Sequence, residues 1–236
     1  MLGVQTMLGL PGDTLEKSIN TAKRLIELKP DMARIYPTLV IRDTALEQEY
    51  IGGKYIPLSL DEAVRWCSIL VPMYENAGIK VIRVGLHAEE LIRENEIVAG
   101  PVHPAFGALV YSKIWLDRIT ETIEKTSMHN KRKLIIHVAP SDVSLVTGQN
   151  RRNVDFLKEN YRFSVVKVIG DQNSRNSFEM EFGISYLFTV ILLVKGFQRT
   201  IILFRCIFRL TNKLLPLPAR WRIRHVRVCG IFRDGA

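Results

Sequence analysis

The sequence predicts an α/β protein, and two observations carry this prediction. Apolar runs of strand length at residues 4–8, 32–36 and 79–86 alternate with segments whose apolar residues recur at helical spacing. The connections between these segments are short and contain glycine or proline. Strands separated by single helices pair in parallel, so the pattern is typical of a parallel sheet or a β/α barrel. Three strands cannot close a barrel, and the pattern therefore predicts part of one.

The boundaries of the first helix and the second strand can be read directly from the residues. Asp13 or Thr14 can cap a helix that ends before Pro30. The strand that follows ends at Pro37, because proline cannot donate to a sheet ladder. A short helix is predicted after it, at residues 44–50.

The next helix has the clearest signals in the chain. Ser59 is followed three residues later by Glu62, which is the sequence pattern of a capping box. Gly78 ends this helix, and a strand follows. A joint rich in glycine and proline at residues 98–104 then predicts a domain boundary near residue 100.

The second half of the chain returns to the same alternation. Helices are predicted at residues 106–125 and 154–160, and strands at residues 134–138, 163–169 and 178–182. The predicted organisation is a first domain at residues 1–100, a second, small α/β domain at residues 101–181, and a tail at residues 182–236.

The formal charge of +9 belongs to the tail. Ten of the 33 Lys and Arg residues and one of the 24 acids follow residue 181, so the 23 bases and 23 acids before it cancel. The body of the chain therefore gives no electrostatic indication of nucleic-acid binding. Apolar runs in the tail stop short of the roughly 20 residues needed to span a bilayer. A membrane-surface segment, a basic arm for RNA and a non-native frameshift product stay open, and the abrupt change of composition favours the third.

Cysteine usage and the first residues bear on location. Cys67, Cys206 and Cys229 lie far apart, without disulfide-framework or zinc-ligand spacing, which fits a reducing compartment. Residues 1–9 lack the basic region of a signal peptide. We therefore predict a cytoplasmic protein. The first strand starts almost at residue 1, which leads us to expect further sequence upstream.

Two motifs lie where α/β folds bind ligands. The segment GLPGDT at residues 9–14 follows the first strand, where glycines allow a ligand to approach the backbone and a helix N-terminus favours anions. An ordinary strand–helix turn is the favoured alternative, since neither a G-x-G-x-x-G nor a P-loop pattern is present. Tyr36 and Pro37 end the next strand and could flank a flat ring, or they could be a packed tyrosine and a strand-ending proline.

Four segments taken in order resemble radical S-adenosylmethionine (radical SAM) proteins. They are GLPGDT at residues 9–14, RIYPTLVI at 34–41, GKYIPLS at 53–59 and VIRVGL at 81–86. The second and third are distinctive and resemble the branch that includes the catalytic subunit of Elongator and its bacterial relatives. GLPGDT is shared with wider groups such as the oxygen-independent coproporphyrinogen oxidases. Residues 103–181 resemble the C-terminal domain of the bacterial members, so the resemblance covers about residues 3–181.

The resemblance implies the C-terminal half of a partial (β/α)₆ barrel followed by a small α/β C-terminal domain. It also implies SAM and a [4Fe–4S] cluster as cofactors of the family, in which the reduced cluster cleaves SAM to a 5′-deoxyadenosyl radical. The retained half would contact adenine and ribose. The implied cofactor-binding residues are Gln5, Met7, Gly9, Pro11, Tyr36, Pro37 and Thr38. Arg83 is the implied substrate residue, with a salt-bridged barrel arginine as the alternative.

The chain departs from the family pattern in one important respect. The Cys-x-x-x-Cys-x-x-Cys loop that holds the cluster is absent from these 236 residues, so neither a cluster nor a catalytic residue is expected on this chain alone. We expect a piece of an enzyme that is inactive by itself, with the missing N-terminal barrel half as its partner. The Elongator resemblance implies tRNA as the substrate. The alternatives are a non-catalytic binding module and a membrane-peripheral protein.

The remaining polar residues favour structural interpretations. Four histidines lack the spacing of a metal-ligand set: His87, His103, His129 and His137. Four acids are typical of solvated helix surfaces: Asp61, Glu62, Glu89 and Glu90. Cys67 occupies an apolar stripe and is predicted to be a core thiol. Asn150 and Arg151 could anchor a ligand phosphate, and turn chemistry explains them equally well.

Overall fold

The computed structural model describes residues 1–86, 96–126 and 132–183, together with the backbone of Arg227–Gly230. In chain order the elements are β1 (Gly3–Leu8), α1 (Leu15–Glu27), β2 (Met32–Pro37), β3 (Val40–Ile41), α2 (Ala45–Ile51), α3 (Leu60–Asn76), β4 (Lys80–Val84), β5 (Ile97–Ala99), α4 (Phe106–Thr126), β6 (Lys133–Val138), α5 (Val143–Thr147), α6 (Arg152–Tyr161), β7 (Val165–Gly170), β8 (Phe178–Gly183) and β9 (Arg227–Gly230). The chain is thus mixed α/β, as predicted.

The first sheet is parallel and has the order β1-β2-β4. All three of its strands were predicted, with ends that differ by one or two residues. The register places Gln5 beside Arg34 and Met7 beside Tyr36. Side chains alternate between the two faces of a strand, so these four residues share one face of the sheet.

Helices cover the opposite face of this sheet. Thr6, Leu8, Ala33 and Ile35 are at most 3% exposed, whereas Met7 of the other face is 39% exposed. The core on the covered face is built from the strands, α1, α3 and the start of α4: Leu8, Ala22, Ala33, Ile35, Ala63, Trp66, Cys67, Leu70, Val71, Tyr74, Ile79, Phe106 and Val110. The first sheet therefore has one packed face and one open face.

The predicted helix caps are present. The Thr14 side chain accepts a hydrogen bond from the backbone N–H of Lys17, which settles the choice between Asp13 and Thr14 as cap of α1. Ser59 and Glu62 form the reciprocal capping box of α3. Each cap satisfies backbone donors that a helix leaves unpaired at its start.

A short antiparallel pair was missed by the sequence interpretation. β3 pairs with β5, with Val40 beside Ala99 and Ile41 beside Ile97. Strands of two and three residues are too short to show a period of two, so no pattern could indicate them. β3 begins three residues after the end of β2, so this pair lies close to the carboxyl end of that strand. Gly100 directly follows β5 and has a φ of +123°.

The second sheet is mixed and has the order β7-β6-β8-β9. β6 is parallel to β7 and antiparallel to β8. Helices α4, α5 and α6 cover one face, and a second core lies between them and the sheet: Trp115, Leu116, Ile119, Ile123, Leu134, Ile136, Val138, Val146, Val154, Leu157, Phe163, Val166, Phe178, Met180 and Phe182. The helices and strands predicted for residues 106–182 are found, and the short α5 is additional.

Helix α4 belongs to both cores. Phe106 and Val110, in its first turns, lie in the core of the first sheet. Trp115 and Ile119, further along, lie in the core of the second sheet. The helix thus starts just past the predicted boundary near residue 100 and connects the two cores.

The structure describes four residues of the tail at residues 182–236 beyond the end of β8. Arg227–Gly230 lies antiparallel to β8, and the rest of residues 184–236 falls outside the described residues. Within the parts of the chain that the structure describes, no helix is both long and apolar enough to cross a bilayer.

Candidate functional site

The open face of the first sheet brings several predicted site residues together. Met7 and Tyr36 are direct neighbours in register, near the carboxyl ends of β1 and β2. Met7 is 39% exposed and Tyr36 is half-buried. A parallel sheet normally has both faces covered, so an open face carrying a thioether and an aromatic ring is a candidate binding surface.

A row of polar side chains lies on the same face, two residues closer to the amino ends of the strands than Met7 and Tyr36. Gln5 lies beside Arg34, and Arg34 lies beside Arg83. The register shifts between Ala33 and Arg34, and such a bulge re-aims side chains locally. The Arg83 guanidinium donates to the Tyr36 hydroxyl over 3.5 Å, which connects the polar row to the Met7–Tyr36 pair.

The GLPGDT segment is held together from within by Asp13. Its carboxylate accepts hydrogen bonds from the backbone N–H of Gly9 at 2.9 Å and of Thr14 at 2.8 Å, and from the Ser18 hydroxyl at 2.8 Å. The N–H of Gly9 is therefore already satisfied by this loop. The turn interpretation accounts for these contacts without a ligand.

Two residues of the GKYIPLS segment pack onto Gly9. The Tyr55 hydroxyl donates to the Gly9 carbonyl at 2.6 Å. A Cβ at Gly9 would lie 2.7 Å from Cγ of Leu58, and the residue has a φ of +74°. Burial raises the pKa of Tyr55, and the nearby Asp13 raises it further. The third motif of the sequence thus fixes the position of the first.

We expect Tyr55→Phe to lower the free energy of unfolding by about 1–3 kcal/mol, because it leaves the buried Gly9 carbonyl without its hydrogen bond. Tyr50→Phe is the matched control, since Tyr50 is 37% exposed on α2. Its effect should stay within about 0.5 kcal/mol. Urea unfolding of both variants measures the difference, and equal effects would contradict a structural role for the Tyr55 hydroxyl.

Thr38 has a buried hydroxyl without a hydrogen-bond partner. The residue is 4% exposed, and its Oγ1 has no partner in the described part of the chain. Its backbone N–H donates to the Leu8 carbonyl at 2.8 Å, which places it at the carboxyl end of β2 next to β1. An unpaired buried hydroxyl is costly, and a bound group that pairs with it would remove that cost.

Two of the predicted residues lie apart from the open face. Pro37 is buried beside Leu8, on the side that faces the helices. Pro11 is exposed at the apex of the GLPGDT turn. The geometry therefore brings Gln5, Met7, Tyr36 and Arg83 together and separates the two prolines from them.

No metal centre forms among the described residues. They contain no group of three or more His, Cys, Asp and Glu side chains placed to hold a metal ion. Cys67 is fully buried in α3, and burial raises the pKa of its thiol to about 12, so it is an inert core thiol. Cys206 lies outside the described residues, and only the backbone of Cys229 is described.

The predicted surface groups have ordinary structural contacts. His103 Nδ1 accepts from the Ala105 N–H at 3.0 Å, and His137 Nδ1 lies 2.7 Å from an Asp171 oxygen. Hydrogen bonds from the Ser59 side chain and backbone lower the pKa of Glu62. Asp61 pairs with Arg152 at 3.3 Å. The other predicted groups lie outside the described residues: His87, Glu89, Glu90 and His129.

Asn150 and Arg151 form the turn between α5 and α6. Both have left-handed backbones, with φ values of +51° and +64°. They border a cleft of about 470 Å³ between this turn and the start of α4, where Ala108 and Leu109 form the apolar wall. The prediction that they anchor a phosphate stays a prediction.

Sequence reasoning missed Arg34 and Tyr55 as members of the site. Arg34 stands two residues before Tyr36, so the period of two already placed both on one face. Tyr55 follows a glycine-rich loop, and no local pattern reveals that its hydroxyl reaches a residue 46 positions away.

Comparison with known proteins points to one family. Residues 30–115 match the family model described as the Radical_SAM C-terminal domain. The chain is 39% identical over 61 residues to a tRNA uridine(34) acetyltransferase of Methanocaldococcus jannaschii. It is 41% identical over 56 residues to an uncharacterized protein of the same organism. These matches cover 25% and 24% of this chain, but only 11% and 17% of the two relatives. The predicted resemblance to radical SAM proteins of the Elongator-like group is confirmed.

Proposed function

We propose that this chain, whose residues 30–115 match the Radical_SAM C-terminal domain model, is the nucleoside-binding part of a radical SAM enzyme. In this proposal the first sheet is the C-terminal half of a partial (β/α)₆ barrel, and its open face lines the interior of that barrel. Residues 101–181 form the attached small α/β domain. The coarser statement, a mixed α/β chain related to radical SAM proteins, is already established.

The observation that carries the proposal is the open face of a parallel sheet. In a β/α barrel the helices cover the outside, and the other face of every strand points inward. The same asymmetry is present in β1, β2 and β4, where only the face towards the helices is packed. β1 and β4 are the edges of this sheet within the described residues, so further strands could extend it on either side.

The open face fits the nucleoside part of SAM. Tyr36 offers a half-buried ring for stacking on adenine, Met7 offers a polarizable wall beside it, and Gln5 offers amide groups for ribose hydroxyls. The unpaired Thr38 hydroxyl supplies a further donor or acceptor at the carboxyl edge. When bound, SAM supplies the radical chemistry, while these residues position its nucleoside and exclude water.

The described residues do not fit the iron–sulfur cluster. Such clusters are held by several cysteine thiolates, and the one cysteine side chain described, Cys67, is buried in a helix. In this proposal the cluster ligands belong to the N-terminal half of the barrel, which acts as a partner of this chain. The name of the matched acetyltransferase suggests tRNA as the substrate of the assembled enzyme.

We expect SAM or adenosine to shift the methyl resonance of Met7 in a chain with ¹³C-methyl-labelled methionine. Met180 is the internal control, since it is fully buried in the second core. Tyr36→Ala should weaken binding about 5- to 100-fold, as loss of aromatic stacking on a base does elsewhere. Tyr50→Ala, on the exposed α2, should leave it unchanged.

An unshifted Met7 methyl at millimolar SAM would contradict the nucleoside role of this face. Saturable micromolar binding by the isolated chain would instead favour a stand-alone binding module. Deleting residues 183–236 tests the membrane-peripheral alternative, which predicts that the shortened chain leaves the membrane fraction.

A further inference from the structure

The cleft between the start of α4 and the turn from α5 to α6 combines an apolar and a polar lining. Its volume is about 470 Å³, a size typical of small-molecule sites. The apolar lining comes from α4 and α5: Ala105, Ala108, Leu109 and Leu145. The polar lining comes from α5 and the turn: Ser144, Thr147, Gln149, Asn150 and Arg151. Apolar walls with a few convergent polar groups are the usual composition of a ligand pocket.

The polar side chains of α5 and the turn are available to a ligand. Within the described part of the chain, these five side chains form no hydrogen bond and no ion pair with another residue. The hydroxyl of Ser112, which also lines the cleft, is by contrast engaged, since it accepts from the Asn153 amide at 3.0 Å. Arg152, the residue after the turn, pairs with Asp61 at 3.3 Å. The groups left unengaged are thus the ones that border the cleft.

The backbone of the turn is strained where it presents these groups. Asn150 and Arg151 are consecutive residues with φ values of +51° and +64°, and Gly148 before them has a φ of +77°. The left-handed region is uncommon for residues other than glycine, and for arginine more so than for asparagine. Strained positions of this kind concentrate at turns that hold ligands. The strain therefore adds to the indication given by the unengaged side chains.

The charge of the lining and its number of donors favour a phosphate as the bound group. Arg151 is the charged residue of the described lining, which contains no acid, so an anion is favoured. Two hydroxyls, two amides and a guanidinium offer more donors than the two oxygens of a carboxylate need, whereas a phosphate monoester has three terminal oxygens. Long polyanions are held by many Lys and Arg contacts to successive phosphates, which a single arginine does not provide.

We propose that this cleft binds a small phosphate ester. Arg151 and the polar groups of the turn bind the phosphate, and the organic part of the ligand packs against Ala108 and Leu109. This inference goes beyond the proposed function, because the cleft lies within residues 101–181 and uses no residue of the open face of the first sheet.

The test titrates the full chain with phenyl phosphate, which has a phosphate and a flat apolar ring but no nucleoside. In a chain with ¹³C-methyl-labelled alanine, we expect the methyl resonances of Ala105 and Ala108 to shift. Ala45, exposed on α2, is the internal control and should stay unshifted. Calorimetry of the same titration gives the affinity. Since the probe has no nucleoside, its failure to bind would leave the nucleoside role of the open face standing.

Two variants test the charge and the apolar wall separately. Arg151→Gln should weaken binding of phenyl phosphate about tenfold or more, because it removes charge-assisted hydrogen bonds. Ala108→Phe should also weaken it about tenfold or more by filling the cleft, and its exposed position spares both cores. Arg162→Gln is the matched control, since Arg162 is likewise exposed and left-handed, with a φ of +57°, at the other end of α6. It should bind the probe like the unchanged chain.

Four results would overturn the proposal. The first is unshifted Ala105 and Ala108 methyls at millimolar phenyl phosphate. The second is an equal loss of affinity in Arg162→Gln, which would show general electrostatic attraction. The third is tighter binding of benzoate than of phenyl phosphate, which would show a carboxylate site. The fourth is displacement of the probe by a lower concentration of a short single-stranded RNA, which would assign the cleft to a nucleic-acid backbone.

Discussion

We expect Gly85→Ala to lower the free energy of unfolding by about 2–5 kcal/mol, the largest effect of any glycine substitution considered. Gly85 has a φ of +74°, and a Cβ there would lie 2.5 Å from Cδ1 of Phe106. The left-handed backbone costs an alanine about 1–2 kcal/mol. Forcing extra volume against a packed ring costs about 1–3 kcal/mol more, because Phe106 is 3% exposed in the first core.

Gly78→Ala is the matched control for this substitution. Gly78 has nearly the same φ, +76°, and nothing lies within 4 Å of a Cβ built there. Gly78→Ala should therefore lower the free energy of unfolding by the backbone contribution alone, about 1–2 kcal/mol. Urea unfolding of both variants isolates the steric part, and equal losses would mean that Phe106 moves aside without cost.

We also expect Asn153→Asp to lower the free energy of unfolding by about 3–4 kcal/mol, because it places a carboxylate against carbonyl oxygens in the protein interior. Asn153 is 5% exposed, and its Nδ2 lies 2.9 Å from the Ser112 carbonyl, 3.0 Å from the Ser112 hydroxyl and 3.2 Å from the Val146 carbonyl. This amide joins α6 to α4 and to the last turn of α5. The change replaces the donor with an acceptor and leaves those oxygens unpaired.

The loss in Asn153→Asp should depend on pH. Burial and the facing carbonyl oxygens raise the pKa of the introduced carboxyl in the folded state, since they disfavour its charged form. The folded protein then holds this proton more tightly than the unfolded chain. The deficit is smallest below about pH 4 and grows as pH rises through the folded-state pKa.

Asn160→Asp provides the control on the same helix. The Asn160 amide donates to the Phe156 carbonyl at 3.0 Å, but the residue is exposed, so water can solvate a carboxylate there. Asn160→Asp should lower the free energy of unfolding by less than about 1 kcal/mol, and this loss should change little with pH. A flat pH profile for Asn153→Asp would contradict a buried carboxylate.

The sequence predicted what local patterns determine. Apolar runs placed the strands of the first sheet and three of the four strands of the second, β6, β7 and β8, and the Ser59–Glu62 spacing placed the start of α3. Each of these features is determined by residues that lie close together in the sequence. The charge cancellation before residue 182 likewise followed from counting alone.

The sequence could not predict contacts made between distant segments. The pairing of Val40 with Ala99, the hydrogen bond from Tyr55 to Gly9 and the contacts of the Asn153 amide with Ser112 and Val146 depend on tertiary packing. No local pattern indicated the role of Asn153, because a buried amide has no characteristic spacing.

Helix α4 makes the two sheets thermodynamically dependent on each other. Melting either core frees one end of this helix, which removes Phe106 and Val110 from one side or Trp115 and Ile119 from the other. The two cores should therefore open as one cooperative unit, with shared protection against hydrogen exchange. Ligand binding on β1 and β2 would then also slow hydrogen exchange in β6, because both cores share α4.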